Sequence, residues 1–322
     1  MPKEIIFRFL NEINKSKEKN KMKKLNGITV AMITPFDDND RVDVQMVQNL
    51  TEMLIAKGVD CLYPCGTTGE MLRMTVEERK LVAETVVKTA AGRVTLFIKV
   101  GCMRQDDTIT LAQHAKQIGA DGIGVVTPQF FGLNDREMEE YYVAVAQSVP
   151  GFPVYLYNIP QCASNDIKPD IVKRILARTD NVIGIKYSFA DMVRTVEYIN
   201  SAKGFSVLHG CDKLLVSLLD MGCDGTVSGC ACAFPEPFVA CMAAYRDGKM
   251  EEARAWNRVC VRFVDALRAG SNMSFFKEAL TARGLCGGKM RAPQLDLTDE
   301  ERDGMISELK TICEESGISF SL

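Results

Sequence analysis

VDCLYPCGTTGEMLRMTVEERKLVAETVVKTAAGRVTLFIKVG, residues 59–101, reads as one strand–helix–strand unit. The runs at 59–66 and 93–101 are short and apolar, the length and character of strands buried on both faces. Between them Thr75 and Glu78 have the spacing of a capping box, in which each side chain satisfies a free amide at the start of a helix. Leu81, Val82 and Val86 follow as one apolar face. A buried strand, a capped amphipathic helix and a second buried strand, in that order, make two parallel strands joined by a crossover.

The same alternation runs outward in both directions from Asn26 onward. GITVAMITPF (27–36) precedes the unit, and DGIGVVTP (121–128), FPVYLYNIP (152–160), NVIGIKYS (181–188), FSVLHG (205–210) and DGTVSG (224–229) follow it, giving eight strand runs. Further helical faces end at glycines: Met46, Val47, Leu50, Met53 and Leu54 before Gly58; Leu111, His114, Ala115 and Ile118 before Gly119; Leu214, Leu215, Leu218 and Leu219 before Gly222. Eight such units predict an α/β fold, a (β/α)8 TIM barrel over residues 26–245. A doubly wound sheet would use fewer strands and a glycine-rich dinucleotide loop, and no such loop occurs. Helical stretches at 250–269, 274–284 and 298–316, with GGKMRAPQLDL (287–297) as a connecting loop, predict a C-terminal helical appendage over 246–322. Residues 1–25 form a basic N-terminal extension, lysine-rich from Lys15 to Lys24, and read as a solvated leader.

Composition narrows the function. The 322 residues carry 42 Asp and Glu against 39 Lys and Arg, a net charge of -3, with 47% hydrophobic residues. An acidic body argues against nucleic acid as a partner. No stretch reaches the ~20 apolar residues of a membrane span, and Glu4, Arg8 and Glu12 interrupt the N-terminal apolar residues, unlike a signal peptide. A cytoplasmic protein with no membrane partner is expected. The 12 cysteines are scattered without a framework, which suits reduced thiols. Cys61/Cys65 and Cys230/Cys232 lack zinc-ligand spacing, and the only histidines are His114 and His209, so neither a metal nor a cofactor is expected.

Barrel enzymes carry their chemistry at the C-terminal ends of the strands. The candidates there are Thr34, Gly66 with Thr67 and Thr68, Lys99, Thr127, Tyr157 with Asn158, Lys186 with Ser188, Gly210 with Asp212, and Ser228. Lysine, tyrosine and adjacent hydroxyls suit imine chemistry. A desolvated amine attacks a carbonyl to form a Schiff base, and a phenol relays protons. The hydroxyls and amides of GTTGE (66–70) suit a small carboxylate, so the implied substrate is a 2-oxo acid. On these grounds Lys99 and Lys186 both remain open as the imine lysine.

GITVAMITPF, GTTGE, GADGIGVVTP (119–128), YNIP (157–160), GIK (184–186) and Gly210-Cys211-Asp212, in this order, resemble the pyruvate-dependent class I aldolases that include N-acetylneuraminate lyase and dihydrodipicolinate synthase. The resemblance spans about residues 26 to 300. It implies a barrel with a helical extension, a homotetramer or dimer, Lys186 as the imine lysine and Tyr157 as proton relay. Thr67 and Thr68, following Gly66, would hold the pyruvate carboxylate, with Thr68 also in the catalytic set. Lys99 becomes a lining or structural lysine.

Departures from the pattern bear on the substrate. In dihydrodipicolinate synthase an arginine two residues after the YNxP proline holds the aldehyde's carboxylate, and here that place is Cys162. A thiol supplies no bidentate charged clamp. That enzyme's TPYY loop, whose tyrosine reaches a neighbouring subunit's relay, is Thr127, Pro128, Gln129 and Phe130 here. FIKVGC and LAQHAKQIGADGI look more like neuraminate lyase, and Ser188 and Asp212 match positions that bind sugar hydroxyls there, with Gly210 beside them. The lyase's acidic residue next to that aspartate is Lys213, a reversed charge suited to a second carboxylate or a phosphate. The expected function is an N-acetylneuraminate lyase-like aldolase acting on a 2-oxo-4-hydroxy sugar acid. The alternatives are dihydrodipicolinate synthase activity or a non-catalytic paralogue that binds 2-oxo acids.

Overall fold

In the computed structural model, which describes residues 22–269 and 272–322, eight parallel strands close on themselves. They are β1 (Gly27–Ala31), β2 (Cys61–Tyr63), β3 (Thr95–Lys99), β4 (Gly122–Val126), β5 (Val154–Asn158), β6 (Val182–Tyr187), β7 (Ser206–His209) and β8 (Gly225–Ser228). Each pairs with its neighbours in chain order, and β8 returns to β1 with Gly27 opposite Gly225. This is a (β/α)8 TIM barrel. Every strand falls within its apolar run but stops short of the run's end. β1 leaves the ladder at Ala31, and Phe36 then bridges antiparallel to Val42. The leftover residues turn outward and build the rim of the barrel.

The strands are followed in turn by α1 (Val44–Ala56), α2 (Val76–Ala90), α3 (Gln105–Gln117), α4 (Asp135–Gln147), α5 (Pro169–Leu176), α6 (Met192–Ile199), α7 (Leu215–Asp220) and α8 (Pro235–Arg246). The capping box that opens α2 is formed: Thr75 Oγ1 accepts from the Glu78 amide at 3.2 Å, and Glu78 Oε2 from the Thr75 amide at 2.8 Å. A second box, Asn134 with Glu137, opens α4. Inside the barrel, Tyr63 reaches across to β4. A Cβ on Gly124 would lie 1.6 Å from the Tyr63 hydroxyl, so only glycine admits the ring there. Leu25, the last residue of the expected N-terminal extension, is 1% exposed and packs with Cys61 and Phe97, so that residue belongs to the barrel packing. Residues 1–21 of that extension lie outside the described residues.

Three helices follow the barrel: α9 (Met250–Ala266), α10 (Ser274–Arg283) and α11 (Asp299–Ser316). Phe234 stacks on Phe263 of α9 with centroids 4.5 Å apart. The Arg283 side chain is fully buried, donates to Glu236 at 2.6 Å and to the Phe320 carbonyl at 2.9 Å, and lies 4.1 Å over the Phe234 ring. These contacts hold the appended helices against the end of β8 and bring Val264, Met273 and Phe276 over the barrel opening. Among the described residues no helix is long and apolar enough to cross a membrane.

Candidate active site

A cleft of about 660 Å³ opens at the C-terminal ends of the strands. It is lined by Thr67, Thr68, Tyr157, Cys162, Lys186, Ser188, Gly210, Asp212 and Lys213, which the sequence had marked, and by Val264, Met273 and Phe276 from the appendage, which it had not. Gly66 does not line the cleft. Its carbonyl accepts the Met71 amide at 3.2 Å and so shapes the loop instead.

Lys186 and Tyr157 are register partners on β6 and β5, which sets their side chains side by side. The Lys186 ammonium is 4.2 Å from the Tyr157 ring centroid and 5.5 Å from that of Tyr63, and the residue is 6% exposed. Aromatic faces thus line an amine that still meets the cleft. The GTTGE loop lies at the opposite wall. Two non-glycine residues in the left-handed region, Cys65 (φ 61°) and Glu70 (φ 58°), bracket it. The Glu70 amide donates to the Thr67 carbonyl at 3.1 Å, and the Thr34 hydroxyl to the Gly69 carbonyl at 2.9 Å. Thr34 is therefore a loop support.

At the end of β7, Asp212 is 8% exposed, and its carboxylate accepts from Ser228 at 2.7 Å and from Thr226 at 3.2 Å. Burial raises its pKa to about 6 against the opposing pull of those hydroxyls and of Lys186. Ser228 therefore serves Asp212 and does not line the cleft. A Cβ on Gly210 would fall 2.1 Å from the Ser188 hydroxyl, which explains the glycine. His209 is fully buried, and burial pushes its pKa down to about 4. Its Nδ1 accepts the Cys211 amide at 3.1 Å, leaving Nε2–H to face Thr195 at 3.3 Å, so it buttresses the loop.

Lys99, the rival lysine, lies outside the cleft lining. It is fully buried, donates to the Gly101 carbonyl at 3.0 Å and contacts the Met71 sulfur. Arg79 reaches the Lys99 and Gly101 carbonyls at 2.8 and 3.2 Å. Burial, with the nearby Arg79 charge, holds the Lys99 pKa well below the usual lysine range. Lys213 reaches the cleft rim, but its ammonium is paired with Asp265 of α9. Burial pushes several cysteine thiols up, Cys65 and Cys211 to about 11 and Cys232 to about 12. Among the described residues no group of three or more His, Cys, Asp or Glu is placed to hold a metal.

The dihydrodipicolinate synthetase family matches residues 24–312. The chain belongs to that family. A 4-hydroxy-tetrahydrodipicolinate synthase of Hyphomonas neptunium is 37% identical over 284 residues, covering 87% of this chain and 96% of that protein. A probable 2-dehydro-3-deoxy-D-pentonate aldolase of Escherichia coli is 34% identical over 241 residues, 74% of this chain and 80% of that one. The sialic acid aldolase of Ruminococcus gnavus superposes with a TM-score of 0.86 at 27% identity, over 92% of this chain and 99% of that one. This member of the dihydrodipicolinate synthetase family is therefore an enzyme of the aldolase and lyase class. These three relatives carry three different named activities, so family membership leaves the substrate to the residues of the cleft.

Proposed function

We propose that the enzyme makes or cleaves a carbon–carbon bond between pyruvate, held as an imine on Lys186, and an aldehyde, with a 2-oxo-4-hydroxy sugar acid as the substrate for cleavage. The observation that carries this reading is the placement of Lys186. It is a buried amine against the Tyr157 ring, facing a cleft whose far wall is the Thr67–Thr68 loop. The unprotonated amine attacks C2 of the 2-oxo acid, and the Tyr157 hydroxyl protonates the departing carbinolamine hydroxyl, so that water leaves, the iminium forms and Tyr157 is left as the phenolate. Tyr157 takes the proton from the C4 hydroxyl as the C3–C4 bond breaks and the aldehyde leaves. The electron pair passes into the enamine, with the iminium nitrogen as sink. Protonation at C3 and hydrolysis release pyruvate and free Lys186. Thr67 and Thr68 hold the carboxylate throughout, and Ser188, Gly210 and Asp212 face the hydroxyl-bearing remainder.

Borohydride reduction in the presence of pyruvate, followed by peptide mass spectrometry, tests the mechanism. The expected adduct is on Lys186. An adduct on Lys99, or none, rejects it.

Tetrahydrodipicolinate synthesis is the second reading, favoured by the named activity of the Hyphomonas relative. It would need a carboxylate anchor other than Cys162, and turnover of aspartate semialdehyde would establish it. Lys213 is the one cation on the cleft rim beyond Lys186 among the described lining residues. By leaving Asp265 it could receive an anionic group on the aldehyde, and Lys213→Glu should then shift preference from acidic to neutral aldehydes. An unchanged preference removes that role. The reading also carries an assembly of two or four copies. Leu72, Phe130 and Phe131 are exposed apolar residues on the rim side of the barrel, and a monomer in sedimentation would count against it.

A further inference from the structure

The GTTGE loop ends on a residue that the chemistry above does not use. Glu70 holds a left-handed backbone (φ 58°) that a side chain adopts at a cost, and its carboxylate is 1% exposed. A buried carboxylate in that conformation persists only where cations meet it. One comes from the adjacent turn and the other from far along the chain. Lys277 of α10, also 1% exposed, places its ammonium 2.6 Å from Glu70 Oε1. Glu70 Oε2 accepts from Arg73 at 2.8 Å and from the Arg291 amide at 3.3 Å.

This junction is braced from several sides. Lys277 donates to the Lys289 carbonyl at 2.7 Å and lies 4.5 Å over the Phe36 ring, while the Arg291 guanidinium lies 3.9 Å from the same ring. Arg291 further bonds the Arg73 carbonyl at 2.7 Å and Glu78 at 2.6 Å. The neighbouring Phe276 approaches the other end of the loop. The space above Gly229 that a Cβ would fill is bounded by Thr68 Oγ1 at 3.1 Å and by Phe276 at 3.4 Å. One helix of the appendage thus pairs with the loop at Glu70 and shares with Thr68 the space above Gly229.

We propose that Lys277 is a positioning residue for the 2-oxo acid carboxylate: through Glu70 it fixes the orientation of Thr67 and Thr68 in the cleft. Without the ammonium, the Glu70 carboxylate is left buried against one arginine and an amide. It relaxes toward solvent, and the backbone turn that the Glu70 amide closes onto the Thr67 carbonyl relaxes with it. The inference rests on the reading of Thr67 and Thr68 as the carboxylate site.

The test is borohydride trapping of the full-length enzyme over graded pyruvate, with thermal stability measured in parallel. Lys277→Met should raise the half-saturating pyruvate concentration about tenfold or more, with the adduct at saturation still on Lys186. The double variant E70Q/K277M removes both buried charges and should regain much of the lost stability while binding pyruvate as weakly as K277M. Wild-type half-saturation in K277M, or its return together with stability in the double variant, reduces the pair to a structural strut and overturns the inference. Should K277M not fold, Glu70→Gln alone carries the test with the same expected rise, and an unchanged value overturns it. A wild-type enzyme that gives no adduct overturns the imine reading instead, so the two failures are distinct.

Discussion

Lys186 and Lys99 stand near the ends of two strands of one barrel, are 6% and 0% exposed, and follow similar apolar residues, yet they are built into opposite environments. Lys186 has aromatic faces beside it and a cleft in front of it. Lys99 has a carbonyl, a thioether and a neighbouring guanidinium, and no place on the cleft wall. Burial desolvates an amine in either place. Only an opening to substrate makes a buried amine a nucleophile, and in this barrel that opening is at β6. Under the proposed mechanism, reach into the cleft, and not burial, is what separates the reactive lysine from the structural one.

The comparison breaks most completely at Lys186 itself. Lys186→Ala should remove both the borohydride adduct and turnover, and residual turnover above background would mean that the nucleophile is elsewhere. Tyr157→Phe sharpens it, because the ring beside the ammonium stays and only the hydroxyl goes. Turnover should fall ~10²–10⁴-fold, the usual contribution of a positioned general acid or base, with the pyruvate adduct still forming. A fall below tenfold would assign the proton transfers to another group. Lys99→Met tests the other member of the pair. The Gly101 carbonyl keeps its bond from Arg79, and an amine buried without a carboxylate is replaced by a thioether of similar length. Turnover should change less than tenfold and the stability read from denaturant unfolding should rise, by about 1 kcal/mol or more. Loss of the Lys186 adduct in this variant would show that the buried amine governs the reactive one.

How much of this the sequence disclosed follows from what each feature depends on. A strand buried on both faces is a continuous apolar run, and a capped helix announces itself by Thr75 and Glu78, so the barrel was legible from local pattern alone. Strand ends were less so. The residues that leave the ladder to form the rim, such as Thr34 after β1, are as apolar or β-branched as those that stay. FIKV at 97–100 and GIKY at 184–187 are equivalent as patterns. Which lysine faces the cleft depends on where Met71 and Arg79 close over one of them, a tertiary fact. The junctions between loop and appendage, Glu70 with Lys277 and Lys213 with Asp265, were illegible for the same reason. Nothing near Lys277 in the chain marks it as a partner of a loop that lies so far back in the sequence.

The smallest expected effect lies in two buried groups beside Lys186 that titrate against each other. His209, held down to about 4 from an ordinary 6.5, binds fewer protons folded than unfolded, so its contribution to stability is lost as pH falls from 6.5 through 4. Asp212, raised from 3.8 to about 6, binds more protons folded than unfolded, so its contribution is lost as pH rises from 4 through 6. The two slopes oppose each other over the same window and largely cancel in the wild-type enzyme. Asp212→Asn removes one of them, roughly 3 kcal/mol across the window at most. The variant's stability should therefore climb more steeply with pH between about 4 and 6, as read from unfolding midpoints at several pH values. Identical slopes in the two proteins would mean that Asp212 ionises at its ordinary pKa, so that burial beside Lys186 leaves the carboxylate's charge unpenalised, and the contrast between the open lysine and the sealed one would then rest on access alone.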